Sequence, residues 1–151
     1  MEKQVKLEGL KGWLAFLGLI LVLKPFGLAI SLWQEYLITN TGMLDSVFFD
    51  GFEELLIAEA ISALVMILIS IYLIYLFFTK HRKFPTIFIM VIIIQLVFYL
   101  SDNIAISVIM PGTNFWEIEN LIKLATGIII SFVFIAYILK SRRVRNTFVN
   151  H

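Results

Sequence analysis

"LVLKPFGLAI", residues 21–30, sets a lysine beside a proline inside an apolar run that begins at Trp13. A helix interior disfavours the proline, which lacks an N–H, and a bilayer disfavours the lysine. The run is nonetheless long enough to cross a membrane, since a hydrocarbon core of about 30 Å takes about 20 residues rising about 1.5 Å each. Three further stretches meet the same requirement, so the expected spans are 12–31, 54–78, 84–108 and 121–139. All are too long for strands, and none shows the strict alternation of a membrane barrel.

Composition agrees with that reading. Of the 151 residues, 60% are hydrophobic and 15% charged, and the mean hydropathy of +0.94 lies outside the soluble globular range. The expected fold class is an all-α membrane protein, an antiparallel bundle of four transmembrane helices forming a single domain over residues 1–151. Lys3, Lys6 and Lys11 ahead of the first apolar core, with "GLA" at 27–29, also resemble a cleaved signal peptide. Lys24 and Pro25 fit that alternative poorly, so the first helix is expected to stay.

Basic residues set the orientation. With four spans, ten of the twelve fall on one side: Lys3, Lys6 and Lys11, then Lys80, Arg82 and Lys83, then Lys140, Arg142, Arg143 and Arg145. Nine of the eleven acidic residues lie toward the other side. Both termini are therefore expected in the cytoplasm. The basic segments would also attract anionic headgroups, by about 1 kcal/mol per residue. Nothing beyond these few charges suggests a nucleic-acid partner. On the far side, "LWQEYLITNTGMLDSVFFDGF" (32–52) and "MPGTNFW" (110–116) read as interfacial connections rich in aromatics, the second with a turn signal at Pro111 and Gly112.

Several chemistries find no support. The chain has no cysteine, which removes disulfides and thiolate metal sites. Its two histidines, His81 and His151, lie in a turn and at the terminus, so no helix offers a haem-ligating or metal-ligating pair. No cofactor is expected. Glycine-rich phosphate loops and the Gly-x-Ser-x-Gly elbow are absent, and the serines of the spans lack a histidine partner. Gly12 and Gly18 are six apart, which is not the spacing of the small-xxx-small dimer signature.

Two end motifs resemble a known family. "LEGLKGWLAFLGLILVLKPF" (7–26) opens the first span with Gly-Trp-Leu and carries a proline near its far end, and "YILKSRRVRNTFV" (137–149) leads from a basic run into Asn-Thr-Phe-Val. Both resemble the domain of unknown function 2569 family of small bacterial membrane proteins. The resemblance implies four spans and a bacterial inner-membrane address, and it implies no activity.

Candidate chemistry lies in the ionisable residues at membrane depth, which are costly there and mark function by default. Helical rise from the expected cytoplasmic ends puts Lys24 at about 17 Å, Lys123 at about 24 Å, Asp102 at about 27 Å and Glu59 at about 28 Å. Lysine can snorkel, so two cations and two anions share one outer layer. Polar stripes run along the same helices: Glu59, Ser62 and Ser70 on the second, Gln95, Tyr99 and Asp102 on the third, Lys123, Thr126 and Ser131 on the fourth. Pro25 is expected to kink or end the first helix and so make room for this layer, with Lys24 held by Glu59 or Asp102. The plainer alternative is that the stripes are interhelical glue, hydroxyls bonding across helices.

The expected function is noncatalytic: binding of a lipid or small amphiphile, or service as an accessory or scaffold subunit. The competing classes are an oligomeric small-solute transporter or channel and, behind it, an intramembrane carboxylate enzyme. Membrane lipids are the expected partners, with a second copy or another membrane protein as further candidates.

Overall fold

A computed structural model describes residues 9–40, 52–109 and 117–150. Within them the chain is helical: α1 (Trp13–Asn40), α2 (Phe52–Phe78), α3 (Phe84–Ile109), α4 (Ile118–Lys140) and a short α5 (Arg142–Thr147). No strand occurs among the described residues. Among the described residues, four helices are long and apolar enough to cross a membrane, as expected of a chain that must satisfy every backbone group internally once in lipid. This is an all-α, multi-pass membrane protein. Phe48, Phe49, Pro111, Gly112, Phe115 and Trp116 of the two far connections lie outside the described residues.

One helix end lies beyond the apolar run that defines its span. The first apolar run thins at Ser31, yet α1 continues to Asn40, because Trp33, Tyr36 and Leu37 still supply apolar bodies and no glycine or proline intervenes. Trp33 and Tyr36, one turn apart, stack with ring centroids 5.7 Å apart on the exposed face. The helix runs through Pro25, where a kink or an end was expected.

Helices pack in chain order, α1 on α2, α2 on α3 and α3 on α4, the first interface being the most extensive. The core gathers at the end that carries the termini. Leu14, Leu17 and Leu21 of α1 meet Leu73, Leu76 and Phe77 of α2, with Phe84, Phe88, Val91 and Ile92 of α3. Elsewhere large apolar side chains such as Leu68 and Phe132 are exposed, a surface that water would not tolerate and lipid covers.

Gly18 explains the tight α1–α2 contact. A Cβ there would stand 2.7 Å from the Phe77 ring, and that ring is wedged against Phe84 and Phe148. Gly18→Val should therefore lower stability by about 1–3 kcal/mol through overpacking. Thermal melts of that variant can be set beside Gly127→Ala, where the added methyl meets open space and should be close to neutral.

The termini end is knitted by the closing motif. α2 stops in a Schellman turn: Lys80 takes φ 54°, His81 N–H donates to Leu76 O at 2.9 Å and Lys80 N–H to Phe77 O at 3.1 Å. Onto this turn folds the end of the chain. Arg82 N–H donates to Asn150 O (2.8 Å), Asn150 N–H to Lys80 O (3.2 Å) and Asn150 Nδ2 to Thr79 O (2.8 Å). Thr147 Oγ1, buried, accepts from Gly9 N–H at 3.0 Å, and Arg143 Nη1 donates to Lys11 O. Phe148 lies over Phe84 with centroids 4.5 Å apart. Ser141 marks the corner between α4 and α5, its hydroxyl oxygen capping α5 through Val144 N–H.

Candidate functional site

Toward the opposite end α1, α2 and α3 leave a cavity of about 420 Å³ between them. Each helix contributes one carboxylic side chain to its wall: Glu35 from α1, Glu59 from α2 and Asp102 from α3. Ser31, Ser62, Tyr99 and Ser101 add hydroxyl-bearing side chains, and Leu32, Leu55 and Phe98 supply apolar wall. The spacing explains the convergence. Ser31 and Glu35 are one turn apart on α1, Glu59 and Ser62 on α2, Tyr99 and Asp102 on α3, so each pair projects from one helix face.

Glu59 and Asp102 are in side-chain hydrogen-bonding contact, and Glu35 lies within electrostatic reach of both. Two carboxyl groups in contact repel unless a proton or a cation lies between them. Asp102 Oδ1 is buried and has no hydrogen-bond partner among the described residues. Three serines of α1 and α2 do not bond across helices as interhelical glue would. Ser31 Oγ donates to Gly27 O at 3.1 Å, Ser62 Oγ to Glu59 O at 2.8 Å and the fully buried Ser70 Oγ to Met66 O at 2.7 Å. Each thus spends its proton on its own helix, and Ser31 and Ser62 keep only acceptor capacity for the cavity.

Of the six candidate polar residues, the structure brings Glu59, Tyr99 and Asp102 together. The other three stand apart from the cavity wall. Lys123 is exposed and pairs with Glu119 one turn earlier on α4, Nζ to Oε1 2.7 Å. Lys24 is half-buried and, among the described residues, makes no ion pair with Glu59 or Asp102. Gln95 is half-buried two turns closer to the start of α3 than Asp102. Among the described residues, no three His, Cys, Asp or Glu side chains converge as metal ligands would.

Glu35 is the residue that sequence reasoning missed. It reads as part of a connection because Trp33, Gln34 and Glu35 follow the apolar run. The signal that finds it is the stripe Leu28, Ser31, Leu32, Glu35, at i, i+3, i+4 and i+7, which continues the helical period past the point where hydropathy falls.

The family described as "Protein of unknown function (DUF2569)" matches residues 7–149, nearly the whole chain. Neither the comparison with curated proteins nor that with solved structures finds a match.

Proposed function

The chain belongs to the DUF2569 family of proteins of unknown function, and on that premise we propose that it is a noncatalytic membrane protein binding a lipid or small amphiphile between α1, α2 and α3. The observation that carries this reading is the cavity itself. At about 420 Å³ it has the size of a small-molecule site, and it combines apolar walls with a few convergent polar groups. Such a lining suits a ligand that is itself part apolar and part polar.

In this proposal the protein sits in a bacterial inner membrane with both termini in the cytoplasm. Support comes from the ten basic residues on the termini side and from the general bias of lysine and arginine toward cytoplasmic loops. The chain lacks cysteine, so topology is directly testable. A single cysteine at Asn146 should react with an impermeant thiol reagent only after the cells are opened, and one at Glu117 should react in intact cells. Equal labelling of both would remove this orientation.

Native mass spectrometry of the protein released from its own membrane tests the binding reading. A retained amphiphile in substoichiometric to one-to-one amount is expected, and a bare polypeptide in every charge state would contradict it. A second reading, an intramembrane enzyme, draws on the Glu59–Asp102 contact, because paired carboxyl groups can share acid and base roles. It predicts a chemically altered lipid in membranes that contain the protein. The accessory-subunit and oligomeric transporter readings predict instead a fixed partner or copy number in the same spectrum.

A further inference from the structure

The geometry points to an amphiphile with a cationic, ammonium-type head as the occupant of the α1–α2–α3 cavity. This inference rests on the reading of that cavity as an amphiphile site and names the charge of its ligand.

Among the described residues, three carboxylic side chains line the cavity and no lysine or arginine does. The two membrane-depth lysines are not part of that wall: Lys123 pairs with Glu119 and lies within electrostatic reach of Tyr99, and Lys24 does not line the cavity. The hydroxyls of Ser31 and Ser62 have committed their protons to Gly27 O and Glu59 O, so they too offer only lone pairs. Deep in the wall, the buried Asp102 Oδ1 lacks a donor among the described residues. A lining made so largely of acceptors calls for a ligand rich in N–H donors or positive charge.

The same geometry excludes a bare metal ion as the natural fit. Glu35, Glu59 and Asp102 share one cavity, yet they do not converge at metal-ligand spacing. An organic cation is larger, can contact carboxylates several ångströms apart, and can lie against the Tyr99 ring, which attracts cations through its face. Leu32, Leu55 and Phe98 would receive the first carbons of its chain. Two sources share this chemistry: the headgroup of an aminolipid and a free long-chain amine.

The test compares three ten-carbon probes of equal length at equal mole fraction in maltoside micelles: decylamine, decanol and decyl sulfate. Binding is read as a saturable rise in melting temperature and by calorimetry. Decylamine should bind about tenfold or more tightly than either of the others, and Glu59→Gln or Asp102→Asn should each weaken it about tenfold or more. If decanol binds as tightly as decylamine and the substitutions change neither, the cationic assignment is overturned while the amphiphile site stands. If no probe binds, both fall. The probe series on the unaltered protein decides the question even if a variant fails to fold. A second arm uses nanodiscs and native mass spectrometry. Retention of phosphatidylethanolamine but not of its N-acetylated form supports a lipid headgroup, and retention of decylamine alone supports a free amine. Preferential retention of phosphatidylglycerol overturns the proposal.

Discussion

Phe148→Ala should lower the stability of the protein by about 3–5 kcal/mol, the usual cost of deleting a buried phenylalanine. Phe148 is 5% exposed and stacks on Phe84 while touching Phe77. Those rings close the core on which α1, α2 and α3 converge. Removing the ring opens a cavity beneath the segment that joins the end of the chain to the α2–α3 turn. Phe148→Leu, which keeps most of the volume, should lose less than half as much. Asn150→Ala removes one side-chain bond to Thr79 O and should cost about 1 kcal/mol. Thermal unfolding in maltoside and in nanodiscs provides the ranking. An unchanged melting temperature for Phe148→Ala would mean that the closing motif is not part of the cooperative core.

Lys24→Met should raise stability in a bilayer by about 2–3 kcal/mol. A lysine at membrane depth costs about that much, and among the described residues no carboxylate offsets it, because Glu59 and Asp102 contact each other and not Lys24. The sign is diagnostic. A cation paired with either carboxylate would make Lys24→Met destabilising by about 3–5 kcal/mol. The loss would then be recovered when Glu59→Gln or Asp102→Asn is combined with it. Melting of the single and double variants in nanodiscs separates the two cases. The destabilising, rescuable outcome would restore the ion pair expected from the sequence and would put a cation beside the cavity.

How much of the molecule was legible follows from the kind of signal each feature leaves. Four long apolar runs announce four helices, since the bilayer imposes both length and composition. Glu59 and Asp102 were legible as one layer, and Tyr99 as sharing the Asp102 face, because helical rise and periodicity place residues along and around a helix. What depth and face do not give is which helix lies beside which. Lys123 shares the layer and faces Glu119 of its own helix instead, and Glu35 hid behind a fall in hydropathy although the helix continued to Asn40. The closing Asn-Thr-Phe-Val was visible as a motif, but its partners were not. Thr147 bonds Gly9, 138 positions away, and Asn150 bonds Thr79, 71 positions away, separations that no local pattern encodes. Gly18 is similar. It matches no small-residue spacing, because its need is set by one phenylalanine ring on another helix.

The central claim is that an amphiphile occupies the space between α1, α2 and α3. The most direct measurement is photo-crosslinking with a diazirine-bearing ten-carbon amine in nanodiscs, followed by mapping of the labelled residues by peptide mass spectrometry. The account predicts labels concentrated on 31–36, 55–63 and 98–105, suppressed by excess decylamine. Labels spread evenly over the lipid-facing surfaces, or centred on α4 and insensitive to competitor, would contradict it.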